Sequence, residues 1–202
     1  MRTRCACPRY VILVAIVCGI ILAFAVAFLL GYIPAVHQLS DLSRLGVSDG
    51  FVPVSLTIFG RSVDTISARL AFYSQSQDLL GTVERSWAGW ELRLECIMVS
   101  VPSGWLVFPF RLSSDESAAF GGVSLMRYYS RSSFPSLYDR SALTDTEERA
   151  LSHVFSLVQT ERWIPPIFGT LHRQAVSIRS FEPGKEYRLF VTRDGTLHLL
   201  EN

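Results

Sequence analysis

Residues 11–32 carry no charged side chain across twenty-two positions. At ~1.5 Å of rise per residue a helix of that length reaches about 33 Å, enough to cross a hydrocarbon core of about 30 Å. A buried helix of a soluble domain would show a polar stripe, and this run shows none. It is expected to be a single transmembrane helix. Arg2, Arg4 and Arg9 precede it in a basic tail of residues 1–10, whereas Arg44 is offset by Asp41 on the other side. That asymmetry predicts a cytoplasmic N-terminus with everything after about residue 33 outside the cytoplasm.

A cleaved signal peptide is the competing reading, because Ala25-Val26-Ala27 fits a small-x-small site. The apolar run continues through Phe28, Leu29 and Leu30, past that site and beyond the usual signal core, which favours an uncleaved anchor. Cys5 and Cys7 then fall in the cytoplasm and Cys18 in the membrane, leaving only Cys96 in the exported part, so no disulfide forms within it. The single Asn is Asn202, so there is no glycosylation sequon. Together these favour a bacterial inner-membrane protein facing the periplasm.

Residues 33–50 are expected to form a juxtamembrane linker helix, with Pro34 in its first turn, Val36, Leu39, Leu42 and Leu45 at three-residue intervals and Gly46 as its cap. Residues 51–202 read as one extracytoplasmic β-rich domain. Ile66, Ala68, Leu70 and Phe72 alternate with Ser67 and Arg69, and Trp90, Leu92, Leu94, Cys96 and Met98 form one face against Glu91, Arg93 and Glu95. Residues 54–59 and 105–112 read as further strands, with Pro109 marking an edge or a bulge. Turn signals at Pro183-Gly184 and Asp194-Gly195 divide 175–181, 187–192 and 196–200 into an expected three-stranded meander. One helix interrupts the strands: Thr144 and Glu147 make a capping box, Leu151, Val154, Phe155 and Val158 form the apolar stripe, and Pro165-Pro166 ends it. The fold class expected is mainly β, an antiparallel sandwich or open barrel with one capping α-helix, preceded by a single N-terminal transmembrane helix.

Residues 113–140 keep no period and are rich in Ser, Gly and Tyr, the mixture adaptable binding loops use. Arg127, Tyr128, Tyr129, Arg131 and Tyr138 are the candidate partner-binding residues. The bland counterpart is a surface excursion whose tyrosines cover a sheet edge. If Tyr128, Tyr129 and Tyr138 are packed inside, the loop is not the contact surface.

No nucleophile elbow, zinc-protease helix, phosphate loop or dinucleotide fingerprint occurs, so no catalytic, cofactor or metal residue is assigned. His153 and His198 are expected to meet solvent, His172 to lie in a loop and His37 beside the membrane. Cys96, on an apolar face, reads as an inert core residue. With a net charge of +1 the chain has too little positive charge to hold nucleic acid by electrostatics. The function expected is an anchored interaction or accessory protein of a cell-envelope assembly, with a protein partner and an open oligomeric state. The alternatives are an extracytoplasmic hydrolase and a periplasmic small-ligand-binding domain, for which an enclosed apolar cavity is the sign.

Overall fold

Each strand of residues 51–202 solves the same problem, how to hide one side-chain face and still pair its backbone. The computed structural model describes residues 8–42, 45, 51–117, 122–160, 171–192 and 194–201. It divides into two units, Met1–His37 and Gln38–Asn202. The first is an apolar helix, α1 (Pro8–Gln38), whose stretch Ile12–Leu30 is long and apolar enough to cross a membrane, a test that a signal sequence near an N-terminus also passes. The expected separate linker helix at 33–50 is corrected here. α1 runs on through Pro34 to Gln38 and ends in a 3-10 turn, Leu39–Leu42. Ile33 has no side-chain oxygen with which to cap a new helix, so nothing replaces the existing one. Leu42 and Leu45 are buried in the second unit, and the Gly46 cap falls outside the described residues.

The second unit holds the β domain. Its strands are β1 (Val54–Arg61), β2 (Thr65–Tyr73), β3 (Leu79–Ala88), β4 (Leu92–Val101), β5 (Gly104–Ser114), β6 (Val123–Ser124), β7 (Ser130–Arg131), β8 (Phe134–Pro135), β9 (Leu171–Ile178), β10 (Glu186–Val191) and β11 (Leu197–Glu201). One sheet runs β11-β10-β1-β2-β3, a second β6-β5-β4-β9, and β7 and β8 pair as a short ribbon. Pairing is antiparallel throughout. β3 approaches β5 and β9 approaches β11, so the sheets meet along both flanks around one core, an open barrel.

The period-two patterns place this core as expected. Ile66, Ala68, Leu70 and Phe72 are buried to completion, as are Leu92, Cys96 and Met98. The β4 face expected to meet solvent differs. Glu95, Ile97 and Val99 are also buried, so β4 is covered on both faces, and it lies between β5 and β9 in its sheet. The expected C-terminal meander is corrected: only β10 and β11 form a hairpin, while β9 pairs with β4 (Glu95 opposite Ala175) in the other sheet. Turn residues show that the chain reverses, but not which edge the next strand joins.

The domain has two ends. The chain arrives through Leu42, whose carbonyl accepts a bond from Ser103 in the β4–β5 turn at 3.4 Å, and through Phe51 and Val52 into β1. At the opposite end lie the β1–β2 turn, the β3–β4 turn and residues 178–185, joined by Gly89 N–H to the Asp64 carbonyl (2.9 Å) and Gly184 N–H to the Ile58 carbonyl (2.7 Å).

The helix α2 (Asp145–Thr160) starts on the expected capping box. The Thr144 N–H donates to Glu147 Oε2 at 2.8 Å and the Glu147 N–H to Thr144 Oγ1 at 3.4 Å. Its stripe of Leu151, Val154, Phe155 and Val158 is buried, with the Phe155 ring 5.6 Å from Phe108 and 6.0 Å from Tyr129. Pro165-Pro166 lies outside the described residues. Thr144→Ala removes the cap and is expected to lower stability by about 1 kcal/mol, read from denaturant unfolding. The β7–β8 turn makes a contrary prediction. Ser132 and Ser133 hold positive φ values of 48° and 64°. Two left-handed residues in succession are the geometry that favours Asn-Gly. Replacing the pair by Asn-Gly is expected to raise stability by roughly 1 kcal/mol.

Candidate functional site

A strand at a sheet edge exposes N–H and C=O groups that need partners. β5 is bordered by β6 at Arg111 and Leu112, and among the described residues no strand pairs with its outer edge from Val107 to Phe110. The loop supplies the missing partners. The Val107 N–H donates to the Tyr138 hydroxyl at 2.7 Å, and that hydroxyl donates to the Val107 carbonyl at 3.2 Å. Two residues on, the same edge belongs to Pro109, which has no N–H to satisfy, and its carbonyl accepts from the Tyr129 hydroxyl at 2.7 Å. Phe110 is the bulged residue between the pairs Cys96–Pro109 and Glu95–Arg111, and its carbonyl accepts from the Leu125 N–H at 2.9 Å.

Tyr129 and Tyr138 are therefore buried, 1% and 0% exposed, and are corrected from contact residues to edge caps of the core. Burial pushes both phenols well above their ordinary pKa, which keeps the donating proton in place. Tyr128 is half-buried and stacks on Phe72 at 5.7 Å with the rings 3° apart. Gly81, paired with Phe72, makes room for it: a Cβ there would lie 2.8 Å from the Tyr128 carbonyl oxygen. Arg127 and Arg131 remain exposed. The Arg127 guanidinium bonds the Tyr128 hydroxyl at 2.8 Å and sits 4.9 Å over its ring.

Beside Arg127 runs an open groove of about 440 Å³, lined by Phe110, Arg111, Ser124, Arg127, Ser130 and Gln159. Arg111 belongs to a charged cluster on the sheet. Glu95 Oε2 accepts from Arg111 Nε and Nη2 at 3.1 and 2.8 Å and from Arg173, while Arg93 lies 3.7 Å from Oε1. Burial works to raise the Glu95 carboxyl, but the bonds from Arg173 and Arg111 outweigh it and hold it below the ordinary carboxylate range. A second groove, of about 420 Å³, lies between the edges of β9 and β11 and includes Val176, Arg179, Tyr187 and His198.

The far end of the domain presents a different surface, which the strand pattern missed. Trp90, expected on the core face, is 51% exposed. Gly89, at φ 117°, turns the chain before β4 begins, and a Cβ on it would collide with Asp115 Oδ1. That oxygen accepts the N–H groups of Trp90 (2.8 Å) and Glu91 (3.2 Å). Burial raises the Asp115 carboxyl, and these amide bonds more than reverse it, so its pKa is lowered. Arg61 lies 4.6 Å over the Trp90 ring and 5.6 Å from that of Phe181. This is a cation–π arrangement on a fixed turn. The sequence signal was Gly89 directly before Trp90, at the end of an alternating run.

The remaining reactive side chains are dispersed. His153 and His198 are exposed, and His172 lies on β9, not in a loop, with its ring 5.4 Å from Trp105. Burial pushes the Cys96 thiol far up, consistent with an inert core residue. Among the described residues no three His, Cys, Asp or Glu side chains gather as metal ligands. No protein family, curated protein or solved structure matches the chain.

Two outcomes follow for purified protein. Tyr138→Phe leaves Val107 with a buried donor and acceptor unpaired, and is expected to lower unfolding stability by about 1–3 kcal/mol. Glu95 titrates in the folded state below its unfolded value of about 4.3. Its network thus contributes fully above roughly pH 4.5 and is lost as pH falls through the lowered folded value. Glu95→Gln is expected to be less stable than the parent at pH 7, with the gap closing toward pH 3 in denaturant midpoints.

Proposed function

We propose that this chain is a single-pass, membrane-anchored interaction protein of a bacterial cell envelope, with its N-terminus in the cytoplasm and its β domain in the periplasm. Arg2, Arg4 and Arg9 ahead of the apolar helix support that orientation. With Cys96 as its one cysteine the domain holds no internal disulfide, which weighs against a disulfide-stapled ectodomain.

The observation that carries the interaction reading is the Trp90–Arg61–Phe181 surface. An exposed Trp with an Arg stacked on it is the side-chain chemistry that dominates protein contacts. Asp115 and Gly89 fix its backbone, so little conformational freedom is lost when a partner docks. It also lies at the end of the domain opposite the one where the chain enters it.

The test is affinity purification of the tagged full-length protein from its membrane in mild detergent, beside an Arg61→Ala/Trp90→Ala variant. Both side chains are at the surface, so the variant keeps its core. A stoichiometric partner is expected with the parent and lost with the variant. A partner retained at equal yield overturns this surface as the contact. No partner in either overturns the reading as a whole. Deleting residues 113–140 is the wrong comparison, because it removes Asp115, Tyr129 and Tyr138 and with them the turn and the β5 edge.

A further inference from the structure

We propose that the groove between β5 and residues 124–130 binds a phosphate group. Five separate pieces of chain meet there: Phe110 and Arg111 from β5, Ser124 from β6, Arg127 from the following 3-10 turn, Ser130 from β7 and Gln159 from the last turn of α2. At about 440 Å³ the space suits a small molecule or a headgroup. Beside the apolar Phe110 and Met126, its described lining offers two guanidiniums, two hydroxyls and a carboxamide, and no carboxylate. A divalent cation would need acidic oxygens, whereas an oxyanion needs these donors.

Among the described residues, the Glu95 carboxylate accepts from Arg111 and Arg173 and lies 3.7 Å from Arg93. Arg111 and Arg173 both lie near the Phe110 ring, at 5.8 and 5.3 Å. The ring lowers their hydration on that side. An anion arriving in the groove meets positive charge already in place. The arms are also held before it arrives: Arg111 by Glu95, Arg127 by Tyr128, and Ser130 by the Gln159 amide at 3.4 Å. Donors converging from several elements match the tetrahedral oxygens of phosphate better than the two coplanar oxygens of a carboxylate. Arg127, one of the residues singled out in the sequence, thereby acquires a role that Tyr129 and Tyr138 do not share. This site is independent of the Trp90 surface and of the partner argued for there.

The experiment is calorimetric titration of the full-length protein in neutral detergent at fixed ionic strength. Inorganic phosphate, acetate and a soluble short-chain phosphatidic acid are titrated into the parent, Arg127→Ala and Arg127→Gln. Saturable phosphate binding is expected in the parent, weakened about tenfold or more in both variants, while Arg61→Ala/Trp90→Ala binds as the parent does. Near-UV circular dichroism confirms that each variant is folded, and two exchanges of one exposed side chain guard against failure of either. Tighter binding of the phosphatidic acid assigns the phosphate to a lipid headgroup, and equal binding assigns it to a soluble ester. No saturable phosphate binding, phosphate binding undiminished in the folded Arg127 variants, or acetate binding as tightly as phosphate overturns the proposal.

Discussion

The architecture depends on how the outer edge of β5 is satisfied. Three residues of this stretch, Val107, Pro109 and Phe110, would leave backbone groups unpaired inside the protein, and a buried unpaired peptide group costs more than most contacts return. Two phenol hydroxyls, one proline and one bulge answer this demand. Because the hydroxyls come from Tyr129 and Tyr138, the segment carrying them must lie along the strand. That path delivers the chain to Thr144 and starts α2 where Phe155 can reach Phe108 and Tyr129. A segment without regular period is thus as fixed as a strand, because its side chains do the pairing a neighbouring strand would do.

The legible parts of the fold were those with local causes. The inward face of β2, the Thr144–Glu147 box and the i, i+3, i+4, i+7 stripe of α2 each concern residues a few positions apart, and all appear in the structure. What was illegible involved distant partners. Nothing near Ala175 specifies that it lies opposite Glu95 and not beside β10. Glu95 reads as a solvated residue until Arg173, 78 positions away, folds over it. A tyrosine's sequence context does not reveal whether its ring faces water or its hydroxyl caps a strand. For the candidate site, Arg127 and Tyr128 stayed at or near the surface, while Trp90 was misplaced because one glycine with positive φ interrupts the period just before it.

Both candidate surfaces share a physical design. Arg61 over Trp90 and Arg127 over Tyr128 are guanidiniums resting on rings whose backbone is fixed elsewhere, by Asp115 in one case and by the bed of Phe72 and Gly81 in the other. Arginine suits this use better than lysine because its planar head stacks while its edge still donates. In a chain whose basic residues are arginine at every position but Lys185, such seats are available wherever an aromatic ring reaches the surface.

The separation of strand partners has a consequence for how the domain comes into being. β1 waits for Arg188 to pair with Ser55, and β4 waits for Ala175 to pair with Glu95. Both sheets thus receive a neighbour only from the last part of the chain, while the hairpins β1–β2 and β4–β5 are complete long before. A chain made from its N-terminus must carry these half-built sheets, apolar faces uncovered, until that last part is available. Neither sheet is complete until β9, β10 and β11 have been made.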